Sequence, residues 1–113
     1  MPPTAIHEEK LSGPIEVGLV WYRREDYPRV LQIMLDAEDL QESWNEWRRD
    51  ARRVERELRR QGVPTSRVVL DPDTFLNWCA VRGLEPIASS RSAWASETAR
   101  ARTRNERRDR SER

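Results

Sequence analysis

The chain has 113 residues, the size of one domain, with 36% hydrophobic and 36% charged residues and a net charge of +1. Five tryptophans argue against a disordered chain, because such chains are poor in large aromatics. A single cysteine excludes an internal disulfide. The tryptophans together with the low hydrophobic fraction indicate a small globular domain with polar ends.

Targeting signals are not evident. The start MPPTAIHEEK has no basic region followed by an apolar run, and VGLVWY is far shorter than the roughly 20 residues of a spanning helix. We therefore expect a soluble cytoplasmic protein that does not enter a membrane. Twenty arginines against one lysine indicate a GC-rich and hence prokaryotic genome.

The first predicted elements are a loose lead, a strand and a helix. Residues 1–13 contain several breakers, after which IEVGLVWY alternates and predicts a strand with one buried face. Glu25 or Asp26 is the expected N-cap of the helix that follows. That helix has an apolar stripe at helical spacing, formed by Tyr27, Leu31, Met34 and Leu35.

The second predicted helix has well-marked ends. Ser43 and Glu46 form a capping box at its start. Gly62 suits the left-handed position after the helix, and Leu58 and Val63 are placed for the hydrophobic contact of a Schellman motif.

The C-terminal third predicts a second strand, RVVLD, and two more helices. Asp71 is the expected N-cap of the first of these helices, with Gly83 as its stop. Ser89 or Ser90 is the expected cap of the last helix. Residues 100–113 contain no large apolar side chain, so we expect an arginine-rich tail that is disordered or frays.

The predicted fold is therefore α+β, with a short two-stranded sheet and about four helices in the order β-α-α-β-α-α. A single domain over residues 14–99 follows the lead of residues 1–13. Two strands alone make a marginal sheet, so either helices cover one face fully or a second copy completes the sheet as a homodimer.

The helix over residues 43–61 separates its side chains by type. At about 100° per residue, an apolar stripe follows a heptad-like spacing and consists of Trp44, Trp47, Ala51, Val54 and Leu58. The arginines share the opposite side and are Arg48, Arg49, Arg52, Arg53, Arg56, Arg59 and Arg60. The stripe predicts that both tryptophans belong to the core, rather than to a platform for nucleic-acid bases.

Three interpretations of the arginine side stay open. The arginines are solvated or paired within the protein, and the candidate partners are the neighbouring acidic loop residues Asp36, Glu38, Asp39 and Glu42. They bind an acidic protein. They bind nucleic acid together with the basic tail.

Catalytic and cofactor signals are weak. Pairing of Cys79 with His7 would need an orienting third group, and Cys79 is better explained as a small buried side chain. No residues are assigned as catalytic or metal-binding, and no cofactor is expected. A metal-dependent hydrolase is the least favoured alternative, and it would use the strand-end carboxylates of Glu25, Asp26, Asp71 and Asp73.

Four segments resemble a family of short bacterial proteins of unassigned function: YRREDYPRVLQIMLDAEDL, WNEWRRDARRVERELRRQG, RVVLDPDTFLNWCAVRGL and RSAWA. The resemblance covers about residues 17–96 and implies one domain of conserved length. It implies no activity and no site residues. The sequence thus predicts a non-enzymatic interaction or regulatory protein, with nucleic-acid binding through the arginines as the alternative.

Overall fold

The structure, a computed structural model, describes residues 16–111, and its side chains through residue 108. Its elements are β1 (Val17–Trp21), α1 (Tyr27–Ile33), α2 (Trp44–Arg60), β2 (Thr65–Val69), α3 (Pro72–Arg82) and α4 (Ala88–Ser111), with short 3-10 turns at Arg24–Asp26 and Ala37–Asp39. The predicted α+β class and the order β-α-α-β-α-α are confirmed. The predicted lead over residues 1–13 lies outside the described residues.

The two strands pair in parallel, from Val17 beside Thr65 to Trp21 beside Val69. A parallel pair needs a long crossover, and here α1 and α2 provide it. Since neighbouring residues of a strand point to opposite faces, Gly18 and Trp21 mark the two faces of the sheet.

Helix α4 packs on the Gly18 face at very short range. A Cβ atom on Gly18 would lie 2.5 Å from the carbonyl oxygen of Ala95 and 3.1 Å from the Cβ of Ala99. Both alanines are buried, so small side chains on both elements let the two backbones approach each other.

Helix α2 packs on the opposite, Trp21 face. The rings of Trp21 and Trp47 meet edge to face with centroids 5.0 Å apart. The sequence predicted one firmly buried face for the first strand, and this is wrong in detail. All residues of β1 are half-buried, because the helices on the two faces share the cover of a narrow sheet.

An ion pair joins α2 to β2 beside this aromatic contact. Arg67 donates from Nε and Nη2 to the two carboxylate oxygens of Glu55, at 2.7 and 2.8 Å. Its guanidinium lies over the Trp21 ring, 3.8 Å from the centroid. The Glu55 side chain is buried, and the hydrogen bonds from Arg67 hold its pKa below the ordinary value.

The predicted start and end of α2 are confirmed, but only the Ser43 half of the capping box is formed, since no described hydrogen bond joins the Ser43 amide to the Glu46 carboxylate. Ser43 Oγ accepts from the Glu46 amide at 3.2 Å, which satisfies one of the free amides of the first turn. At the other end Gly62 has φ +80°, and the Val63 amide donates to Leu58 at 2.9 Å, as a Schellman motif requires.

Helix α3 also begins and ends where expected. Asp71 accepts from the Thr74 amide at 2.9 Å, Pro72 occupies the first turn, and Gly83 follows the helix with φ +67°.

The start of α4 differs from the prediction. The helix begins at Ala88, and its cap is a distant residue, Asp36, which accepts from the Ala88 amide at 3.0 Å. Asp36 also accepts from Arg91 at 2.7 and 3.0 Å. Ser89 or Ser90 was the expected cap, and this is wrong because Asp36 lies 52 positions away, outside any local capping pattern.

Helix α4 then continues through residues 100–111, which were the predicted tail. Arg102 donates to the backbone oxygen of Arg67 at 3.1 Å, and Ala101 and Thr103 are half-buried. The first part of the basic tail therefore lies against the same domain as the rest of α4.

The apolar stripe predicted for α1 is only partly correct, because the helix ends before the last residue of that stripe. Tyr27, Val30 and Met34 are buried, whereas Leu35 is 64% exposed. The helix ends at Ile33 and Met34 is extended, so Leu35 no longer follows the helical spacing that predicted its burial.

We predict that Gly18→Ala destabilises the fold by about 1–3 kcal/mol, because the added Cβ meets the backbone of α4 rather than a movable side chain. Urea denaturation measures the free energy of unfolding. An unstrained Gly→Ala change in a strand would instead raise stability, and that result would refute the close approach.

We also predict that Glu55→Gln removes part of the acid sensitivity of the protein. Because Arg67 lowers the folded-state pKa of Glu55, the wild-type pair contributes stability above the unfolded pKa of about 4.3 and loses it as the pH falls toward the folded value. Unfolding curves at pH 7 and in steps below pH 5 should show a smaller loss of stability for the variant. The matched variant Glu85→Gln, at an exposed position with no ion pair among the described residues, should keep the wild-type slope.

Candidate functional site

All seven arginines of α2 are exposed. The packed side of the helix is marked by Trp47 and Glu55, with Trp44, Ala51 and Leu58 half-buried beside them. On the remaining side, a sector of about 140° contains the arginines and one uncharged residue, Asn45. The predicted separation of an apolar and a basic side is therefore present.

The packed side is rotated relative to the predicted stripe. Val54 was expected in the core but is 52% exposed, whereas Glu55 is 4% exposed. The expectation for Val54 is wrong because α2 turns its Glu55 edge toward β2 to meet Arg67. Nothing in the local pattern of α2 reveals a partner on another element.

Four of the arginines have acidic partners on α2 itself. Asp50 lies 3.5 Å from Arg49 and 3.7 Å from Arg53, Arg60 pairs with Glu57, and Arg59 lies 3.9 Å from Glu55. Gln41 donates to Asp50 at 3.0 Å, and this hydrogen bond together with the two arginines holds the pKa of Asp50 below its ordinary value. These pairs neutralise the flanks and the C-terminal end of the helix.

The other three, Arg48, Arg52 and Arg56, form what we call the arginine row. No described carboxylate lies within ion-pair distance of any of them. They follow each other at intervals of four residues, about 6 Å along the helix axis. Together with Asn45 and Arg49 they line a shallow groove on the surface. The row is therefore a line of positive charge without a close ion pair, in which only Arg52 is near enough to Glu55 to help lower the pKa of that carboxyl.

The acidic loop does not cover this row. Asp36 is engaged by Arg91, which holds the pKa of Asp36 below its ordinary value. Among the described residues, no ion pair joins Asp36, Glu38, Asp39 or Glu42 to an arginine of α2. The expected pairing of these four loop residues with the arginines of α2 is therefore wrong, and Asp36 is instead engaged at the start of α4.

The two basic segments are not brought together by the sheet. The tail residues Arg100, Arg104 and Arg108 belong to α4, which packs on the Gly18 face, whereas α2 packs on the Trp21 face. Arg100, Arg104 and Arg108 are exposed.

The two tryptophans of α2 have different environments. Trp47 is buried and contacts the rings of Trp21, Tyr22 and Tyr27. Trp44 is half-buried, and its indole N–H donates to the backbone oxygen of Tyr22 at 2.8 Å. The sequence pattern placed both in the core, and it missed that Trp44 lies at the edge of the arginine surface.

Three of the four strand-end carboxylates have other partners, and Glu25 has no described ion pair or side-chain hydrogen bond. Asp26 pairs with Arg23 at 2.7 Å, Asp71 caps α3, and Asp73 lies 3.1 Å from Arg29. Within residues 16–108, no group of three or more His, Cys, Asp or Glu side chains is arranged to hold a metal ion.

Cys79 is buried, and burial raises the pKa of its thiol, so the neutral form is favoured at physiological pH. A buried neutral thiol packs as a small apolar side chain. Its candidate partner His7 lies outside the described residues.

Comparisons with family models, with curated proteins and with solved structures found no match for this chain. The family resemblance of residues 17–96 therefore stays a prediction, and a functional assignment depends on the geometry of the chain itself. In the described part of the chain, no helix combines the length and the apolar character needed to cross a membrane.

We predict that the arginine row is not needed for folding. The double variant Arg52→Gln/Arg56→Gln should leave the free energy of unfolding unchanged or raise it by up to about 1 kcal/mol, because it removes like-charge pairs four residues apart. Urea denaturation at low salt measures this. A loss of stability above about 1 kcal/mol would mean that the row has a structural partner.

Proposed function

We propose that this protein is a small non-enzymatic module that binds nucleic acid through the arginine row of α2. The observation that supports the proposal is that Arg48, Arg52 and Arg56 have no described carboxylate partner, while the acidic loop is engaged elsewhere. Unneutralised guanidinium groups at a surface attract polyanions and release the counterions that these carry.

The chemistry of the row suits phosphates. A guanidinium group donates two parallel hydrogen bonds to a phosphate, and a row that repeats at about 6 Å along a helix can follow a backbone of repeated charges. The helix has 17 residues and is about 25 Å long, enough for several consecutive phosphates.

An acidic protein partner is less well supported. Stable protein interfaces bury apolar or aromatic anchors at their centre, and the basic sector of α2 contains no apolar residue. The most exposed large apolar side chains, Leu35 and Val81, lie on other elements. The basic sector itself therefore offers charge without an apolar centre, and apolar side chains border it at the N-terminal end of α2, around Trp44.

The proposal includes a bacterial cytoplasmic location and a homodimeric assembly, both inferred from the sequence. The location that we propose is a bacterial cytoplasm, where the chain would meet nucleic acid. The homodimer expected from the marginal two-stranded sheet would present two arginine rows, which would increase avidity for a long polyanion.

The test is a titration of mixed DNA and RNA at several salt concentrations, beginning near 50 mM. We expect binding whose logarithm falls steeply and linearly with the logarithm of salt. The triple variant Arg48→Gln/Arg52→Gln/Arg56→Gln should bind more weakly, with the slope reduced by about 2 to 3, because each phosphate contact contributes about 0.7 to 0.9.

The control is a charge-matched triple variant, Arg100→Gln/Arg104→Gln/Arg108→Gln, on α4. It should retain most of the affinity and most of the slope if the row on α2 is the site. Equal losses in the two triple variants would show that net charge alone drives binding. An absence of binding at low salt would refute the proposed function.

A further inference from the structure

A second groove begins where the arginine row ends. It has a volume of about 450 Å³, which is in the range of small-molecule sites. Asn45 lines both this groove and the groove of the arginine row, so the two form one continuous surface at the N-terminal end of α2. A ligand that lies along the row and extends past Asn45 would enter the second groove.

The walls of this groove are largely apolar, and one of them is fixed by a hydrogen bond. They include the ring of Trp44 and the side chains of Pro28 and Leu31. The hydrogen bond from the Trp44 indole to Tyr22 holds the ring in place at the end of β1. A fixed, partly exposed indole offers a surface for stacking, because little of its side-chain freedom is lost when a planar group binds to it.

Two guanidinium groups lie over the Trp44 ring without close contact. Arg24 and Arg48 are 5.7 and 5.4 Å from its centroid, whereas Arg67 lies at 3.8 Å over Trp21. Trp21 is therefore already covered by its cation. Trp44 has longer cation–ring distances, so a planar ligand that stacks on the ring has only a looser contact to displace.

Polar groups are available at the rim of the groove. Glu42 and Asn45 line it, and neither has a side-chain hydrogen-bond partner among the described residues. A carboxylate that accepts and an amide that both donates and accepts match the hydrogen-bonding edge of a nucleobase. The groove thus combines a stacking surface with groups that bond to a base edge.

We infer that the ligand is single-stranded nucleic acid, with one unpaired base stacked on Trp44 and the following phosphates on the arginine row. In a duplex the bases are paired and stacked on one another, so none is free to enter the groove. This inference rests on the proposed function, because the phosphates must first be bound by the row.

The experiment compares two oligonucleotides of equal length and charge in the wild-type protein, one with normal bases and one with abasic sugars throughout. The strand with bases should bind at least about fivefold more tightly, since a stacked base contributes on the order of 1–3 kcal/mol, while the salt dependence of the two should be the same. In a duplex of the same length the bases are not free to stack on Trp44, so the duplex should not show the extra affinity that the bases give to the single strand.

The outcomes separate the two proposals. Equal, salt-dependent binding of both strands would overturn the base site while leaving the phosphate row intact. Binding of neither strand at low salt would overturn the row and the base site together.

Two matched variants locate the stacked base. In Trp44→Leu the affinity ratio between the normal and the abasic strand should fall to near one. Trp78→Leu is the control, because Trp78 is also half-buried and has a guanidinium, that of Arg82, 4.3 Å from its ring centroid, but it belongs to α3. There the ratio should stay at its wild-type value.

The ratio is measured on one preparation, so partial loss of folded protein affects both strands equally. A ratio that stays unchanged in Trp44→Leu, or falls equally in Trp78→Leu, would overturn the assignment to Trp44.

Discussion

The contact of Glu55 with Arg67 over Trp21 determines the orientation of α2, and the candidate site depends on that orientation. A buried carboxylate is costly unless it is paired and hydrogen-bonded, so α2 must present Glu55 to β2 at one rotation about its axis. That rotation leaves Val54 exposed and points the arginines away from the domain. The pair also ties a helix to a two-stranded sheet that would be marginal without such cover.

The pairing of acidic side chains elsewhere in the domain also explains why a chain with a net charge of +1 has a strongly basic surface. Two acidic side chains are used for structure rather than for the arginine row: Glu55 holds Arg67, and Asp36 both caps α4 and holds Arg91. Positive charge is thereby left unpaired in one line rather than averaged over the molecule. Net charge alone would have predicted a weak field.

The close packing of α4 on the Gly18 face of the sheet is the second constraint on the arrangement of the helices. The absence of a side chain at Gly18 lets α4 lie directly on β1, so the two basic segments belong to helices on opposite faces of the sheet. Trp44, at the first turn of α2, hydrogen-bonds the carbonyl that follows β1 and at the same time borders the surface groove. One side chain thus links the sheet to the candidate site.

Local chemistry in the sequence determined the elements and their ends, because capping boxes, proline at first turns and glycine after helices act within a few residues. Ser43, Asp71 and Gly62 were therefore predictable, and so were the element order and the grouping of the seven arginines. Contacts between distant elements were decided by the tertiary structure. These are Asp36 at the start of α4, Glu55 with Arg67, and the half-exposed setting of Trp44. Helical periodicity reports which side chains share a face, but the partner that buries a face comes from elsewhere in the chain.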